Sequence, residues 1–133
     1  AHKQRAAEAG AIEALVEAMR AHPQVADVQE AASAALAYVC YGDDNAAAAH
    51  KQRAAEAGAI EALVEAVRAH PQVADVQEAA CGALGNMLRD EDSTDAAAPA
   101  RMQRAVEAGA LEFLSLLPQR LSTSLLIAES LEL

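Results

Sequence analysis

The side chains of this 133-residue chain that could bind a metal or take part in catalysis are four histidines, two cysteines and many carboxylates. The histidines occupy two sites of a repeated segment, and none stands at the i, i+4 spacing that zinc ligands use on a helix. They are His2, His22, His50 and His70. The acidic stretch "DEDSTD" at 90–95 lacks the glycine and the final glutamate of an EF-hand loop. No GxSxG or GxxxxGK[ST] motif occurs, so we predict no metal, no cofactor and no enzymatic activity.

The two cysteines, Cys40 and Cys81, lie in apolar, helix-forming surroundings and do not form a CxxC pair. We therefore predict buried, reduced thiols and a reducing compartment, the cytoplasm, with the nucleus as the alternative. The sequence shows no signal peptide and no apolar run of membrane-spanning length, so we expect a soluble protein.

The charge balance limits the class of partner. Ten basic and twenty acidic residues give a net charge of −10, which argues against a nucleic acid. An acidic surface favours a basic or neutral protein segment, or it simply keeps the protein in solution. Aromatic residues make up only 2% of the chain, so the core must depend on many close contacts between alanine-rich helices.

The helices that would position these side chains belong to a segment that is repeated within the chain. Residues 1–32 recur at 49–80 with one difference: Met19 of the first copy corresponds to Val67 of the second. A weaker third copy begins near Pro99. A period of this length is typical of solenoids, in which each unit buries its apolar face against the next. We predict units at 1–48, 49–98 and 99–133, the last a divergent repeat or cap. Because the chain enters the repeat at once and without a methionine, we interpret it as a piece of a longer array or an engineered chain.

Each copy divides into three predicted helices, and no strand pattern is visible. The first helix ends at a glycine that can adopt the left-handed conformation. The second carries an apolar stripe at helical spacing and ends at a proline. The third spans roughly residues 25–41 in the first copy. The predicted turns are Gly10, Pro23, Gly58, Pro71, Gly109 and Pro118.

Two sets of residues form the predicted core of the first copy. The stripe of the second helix comprises Ile12, Leu15, Val16 and Met19. The buried side of the third helix comprises Val28, Ala32, Ala35, Leu36 and Val39. If the array is truncated at the first copy, we expect the stripe of the second helix, together with Val28, Ala32 and Leu36, to remain uncovered on one side and to favour self-association through the exposed repeat end.

The segments "EAGAIEALVEAMR" and "VQEAACGALGNM" resemble the armadillo repeat over nearly the whole chain. The resemblance implies an all-α fold with three helices per repeat, stacked into a right-handed α-solenoid. It also implies a concave groove, lined by the third helices, that holds an extended peptide. A HEAT-like solenoid is the alternative fold, although its units usually have two helices.

The resemblance also indicates groove residues. The asparagine with which the family holds a peptide backbone matches Asn86, and Tyr38 stands at the equivalent position of the first copy. Gly82 and Ala34 stand where the family has tryptophan, which argues against pockets for lysine or arginine stems. Helical spacing independently places Ala34 and Tyr38 on one stripe of the third helix of the first copy, and Gly82 and Asn86 on the equivalent stripe of the second copy. The predicted groove residues are Asp27, Tyr38, Tyr41, Asp75, Asn86 and Arg89.

We therefore expect a scaffold that binds a protein or peptide, basic or neutral, through its third helices. The two tyrosines could instead pack across the linker that follows them. The alternative function is a structural spacer or a designed stacking unit with no ligand, which the near identity of the two copies also fits.

Overall fold

The computed structural model describes residues 2–42, 45–89 and 97–112, with side chains from residue 10 onward. Over these ranges the chain is helical and contains no strand, so the predicted all-α class is confirmed. The helices are α1 His2–Ala21, α2 Ala26–Val39, α3 Asn45–Ala57, α4 Ala59–Ala69, α5 Ala74–Leu88 and α6 Ala98–Ala108.

The second copy consists of the three predicted helices, α3, α4 and α5. Gly58 separates the first two with a φ of 93°, a left-handed conformation that favours glycine. Gly109 ends α6 in the same way with a φ of 100°. The chain also leaves helical structure next to Pro23 and Pro71. These four predicted turns are confirmed, and Pro118 lies outside the described residues.

The predicted turn at Gly10 is wrong. Helix α1 runs through Gly10 without a break, so the first copy contains two helices rather than three. Gly10 is exposed, and a Cβ atom added to it would meet nothing within 4 Å. At Gly58, by contrast, the side chain of Arg20 occupies that space. The bent and the straight glycine therefore differ in whether a neighbouring side chain lies against them.

The core lies between the helices of successive copies. The stripe of α1 packs inward, with Ile12, Val16 and Met19 buried and Leu15 partly buried. Helices α2 and α5, the third helices of the first two copies, pack against each other. Helix α1 contacts α3 and α4 in addition to α2, so it covers one side of the second copy.

The residues predicted to form an uncovered apolar face are mostly buried. Besides the α1 stripe, Ala32 and Leu36 are buried, while Val28, Ala35 and Val39 are partly buried. The contacts of α1 with α2, α3 and α4 supply this cover within the chain. The prediction that these residues form an exposed repeat end is therefore wrong, and self-association itself stays a prediction.

In each of the first two copies a glutamine joins the helix before the proline to the helix after it, a feature that the sequence pattern did not predict. The amide of Gln29 donates to the carbonyl oxygens of Met19 and His22, at 2.9 Å each. The amide of Gln77 donates in the same way to Val67 and His70, at 2.9 and 2.8 Å. Each glutamine thus satisfies carbonyls that the end of a helix leaves without an intrahelical partner. This pair of hydrogen bonds fixes where each third helix begins.

Candidate protein-binding face

The outward face of α2 is a continuous exposed stripe. Its members follow helical spacing, and all of them are exposed. They are Asp27, Ala31, Ala34 and Tyr38, and the exposed Tyr41 follows two residues after the end of α2. On α5 the equivalent stripe is exposed at Asp75, Gly82 and Arg89 and partly buried at Ala79 and Asn86. Because α2 packs against α5, the two stripes lie on neighbouring helices.

A first cavity, here named the tyrosine cavity, lies at the C-terminal end of α2 and has a volume of about 520 Å³. Tyr38 is 85% exposed and Tyr41 is 68% exposed, so neither packs across the linker. His50 reaches the same place from α3, where its Nδ1 lies 3.1 Å from the carbonyl oxygen of Val39. The lining residues are Ala37, Tyr38, Val39, Tyr41, Ala46, Ala47, His50 and Asn86.

A second cavity, the glycine cavity, lies along α5 and has a volume of about 600 Å³. Gly82 and Gly85 leave part of its wall without side chains, and a Cβ atom at either would meet nothing within 4 Å. The first copy has Ala34 and Ala37 at the equivalent positions. The lining residues are Ala74, Gln77, Glu78, Cys81, Gly82, Gly85, Asn86 and Arg89.

Asn86 lines both cavities and also joins the two helices. Its Nδ2 donates a hydrogen bond of 2.7 Å to the carbonyl oxygen of Ala37 on α2. One of its two amide hydrogens is therefore engaged inside the protein, and the side chain is held at the boundary between the cavities. Such a fixed amide can offer its remaining polar groups to a peptide backbone with little loss of rotamer entropy.

Four of the six predicted groove residues line the cavities. Tyr38 and Tyr41 line the tyrosine cavity, Arg89 lines the glycine cavity, and Asn86 lines both. Asp27 and Asp75 are exposed in the first turns of α2 and α5 but line neither cavity. The sequence analysis did not name His50 as a cavity residue. The short connection from Tyr41 to α3 could have indicated it, because a chain that turns back within a few residues must return to the same helix end.

The two thiols lie beneath this face. Cys40 is fully buried, and burial raises the pKa of its thiol to about 11. Burial also raises the pKa of the Cys81 thiol, and both cysteines are free. Within 10–42, 45–89 and 97–112, no three or more histidine, cysteine, aspartate or glutamate side chains are grouped so that they could hold a metal ion. Among the described helices, none is long and apolar enough to cross a membrane.

Comparison with known proteins identifies the class of repeat. Residues 48–89 match the family model of the Armadillo/beta-catenin-like repeat. The matched segment covers most of α3 and all of α4 and α5, so it contains Asn86, Arg89 and the glycine cavity. The resemblance to the armadillo repeat is thereby confirmed for this segment, whose family comprises helical repeat scaffolds that often mediate protein interactions. No curated protein and no solved structure matches the chain.

Proposed function

We propose that the chain is a scaffold that binds a protein segment or extended peptide along the outward faces of α2 and α5. The observation that carries this proposal is the exposure of two large aromatic residues at the C-terminal end of α2, Tyr38 within the helix and Tyr41 just after it. In a chain whose aromatic content is only 2%, two tyrosines placed outside the core are available for contact. Tyrosine offers a large contact area and a hydroxyl group at a low cost in conformational entropy.

In this proposal an extended segment crosses α2 and α5 and places side chains in the tyrosine cavity and the glycine cavity. Asn86 lies between them and would hydrogen-bond the backbone of the segment. Tyr41 and Arg89 would contact its side chains, with the armadillo match at 48–89 in support.

The charge of the partner is part of the proposal. Asp27 and Asp75 are exposed at the starts of α2 and α5, and the whole chain carries −10. A basic or neutral segment would therefore be favoured, and its affinity should fall as salt is added.

The proposed architecture is a right-handed superhelix of three-helix units at 1–48, 49–98 and 99–133, with the third helices on its concave side. The spacing of 48 between the first two copies supports these units. The buried, free thiols fit a reducing compartment, and we propose the cytoplasm or nucleus.

A structural spacer without a ligand is the second candidate, and one observation favours it. The Asn86 side chain already bonds to Ala37 of the neighbouring helix, so it has a role in stacking that needs no ligand. The near identity of residues 1–32 and 49–80 also fits a unit kept for stacking alone.

Selection from a display library of short random peptides separates the two functions. Peptides recovered on the intact chain would be measured against Tyr38→Ala, Asn86→Ala and a control, Glu65→Ala, whose side chain is exposed on α4. We expect each of the first two substitutions to weaken binding by about 1 kcal/mol, or roughly fivefold, and the control to leave it unchanged. The spacer predicts that no peptide is recovered reproducibly. Peptides that bind all variants equally would place the binding surface elsewhere.

A further inference from the structure

One stretch of sixteen residues adopts two structures in this chain. "KQRAAEAGAIEALVEA" occurs at 3–18 and again at 51–66. At 3–18 it forms a single helix that passes through Gly10. At 51–66 it forms two helices that meet at Gly58, where φ is 93°. Because the residues are the same, local propensity cannot decide between the straight and the bent form, and the surroundings must.

The surroundings differ in that α1 packs against α3 and α4, and next to the glycine itself the difference is one arginine. A Cβ atom added to Gly58 would lie 3.0 Å from Cζ of Arg20 and closer still to a terminal nitrogen of the same guanidinium. Gly109, the other bend between a first and a second helix, has the same neighbour one copy later, with Cζ of Arg68 at 3.2 Å. At Gly10 no atom lies within 4 Å of the added Cβ. An arginine thus accompanies each left-handed glycine at these sites and is missing from the helical one.

The chemistry of the contact explains this association. The first helix of the second copy ends just before Gly58, and the first helix of the third copy ends just before Gly109. The C-terminal end of a helix carries a partial negative charge and unpaired carbonyls, which favour a cation. A planar guanidinium can lie flat against the backbone at such an end, and only glycine leaves it room. If the helix continued through the glycine, this terminus would not exist.

We propose that Arg20 and Arg68 are positioning residues, each of which selects the bent form of the next copy by placing its guanidinium on that copy's glycine. Without this contact the same sequence continues as one helix, as α1 does. The direction of each second helix is thus set by the preceding copy. The proposal concerns assembly of the repeats and does not rest on the proposed binding function.

The Arg68 guanidinium also donates to both carboxylate oxygens of Glu112, at 3.1 Å each, so an ion pair helps to hold it at Gly109. Two further ion pairs cross the junctions between copies and provide a control. Arg53 pairs with Glu13 at 2.8 Å, and Arg104 pairs with Glu61 at 2.8 Å. Both link the first helix of one copy to the second helix of the copy before it. A role that depends only on charge across the junction would be shared by Arg53 and Arg20.

The test is nuclear magnetic resonance of the full chain carrying Arg20→Ala, Arg53→Ala or Arg68→Ala. Carbon chemical shifts and residual dipolar couplings report the backbone conformation at Gly58 and Gly109. We expect Arg20→Ala to shift Gly58 towards helical values and leave Gly109 unchanged, Arg68→Ala to do the reverse, and Arg53→Ala to alter neither. An unchanged Gly58 in Arg20→Ala, or an equal change in Arg53→Ala, would overturn the proposal.

If the spectra of a variant are too poor to assign, the coupling between Arg20 and Gly58 can be measured from unfolding instead. The unfolding equilibrium constant would be measured for Gly58→Ala alone and combined with Arg20→Ala. If the guanidinium occupies the place of the new methyl group, we expect the effect of Gly58→Ala to shrink by about tenfold in the double variant. Additive effects would show that the two residues are not coupled and would refute the role of Arg20.

Discussion

Alanine at Gly10 and at Gly58 makes the same change within the same sixteen residues, yet we expect opposite effects on the free energy of unfolding. Gly10 is exposed inside α1, and an added Cβ meets nothing within 4 Å. Alanine there should stabilise the protein by about 1 kcal/mol, the difference in helix propensity between the two residues. Gly58 has a φ of 93°, where alanine costs roughly 1–2 kcal/mol, and the Arg20 guanidinium must also move. The two variants should therefore differ by about 2–3 kcal/mol.

The assay is urea unfolding followed by far-ultraviolet circular dichroism, with comparison of midpoints at equal slopes. Gly82→Ala is the matched control, because Gly82 is an exposed glycine within α5 with no atom within 4 Å of an added Cβ. It should behave like Gly10→Ala. Destabilisation by Gly10→Ala comparable to that of Gly58→Ala would mean that both sites are bent. The account of α1 as one continuous helix would then fail.

Three further predictions concern buried or partly buried polar groups and can be checked on the same protein. Gln77→Ala should lower the free energy of unfolding, measured with urea, by about 1–3 kcal/mol, because two carbonyls at the end of α4 lose their donor. The control Gln72→Ala, in the exposed turn before α5, should change this free energy little. Ser33→Ala should raise the thermal midpoint slightly, since the buried hydroxyl oxygen of Ser33 has no hydrogen-bond partner. Cys40 has a thiol pKa of about 11, so only about one thiol in a thousand is ionised at pH 8. Mass spectrometry of the peptide that contains Cys40 should therefore show alkylation by iodoacetamide only when urea is present, and rapid alkylation of Cys40 in the native protein would contradict its burial.

The sequence was sufficient to predict features that depend on local pattern. Helical periodicity and the prolines located the ends of α1 and α4, and spacing alone placed Tyr38 on the exposed side of α2. Tyr41 is also exposed, although α2 ends two residues before it. The turn at Gly58 was predicted on the same grounds as the one at Gly10, and only the former exists. These two glycines share their local sequence, so the difference lies in their surroundings, which at Gly58 include Arg20, 38 residues earlier in the chain, and the packing of α1 on α3 and α4.

Side-chain partners across the junctions could not be predicted in this way. Asn86 was identified from its place in the repeat, but its bond to Ala37 depends on how closely α5 approaches α2. The burial of Gln29 was missed because a glutamine inside a helix usually faces solvent. Its amide is buried here because the end of α1 offers two carbonyls within reach.

The central claim is that the outward faces of α2 and α5 bind a protein segment. It is tested most directly by mapping the backbone amide shifts of the full chain as a peptide selected on the native protein is added. The account predicts that shifts change at Tyr38, Tyr41 and Asn86 and along the exposed stripes of both helices, and that the changes weaken at higher salt. Changes confined to the exposed side of α4, or absent from α2 and α5 at saturation, would contradict it.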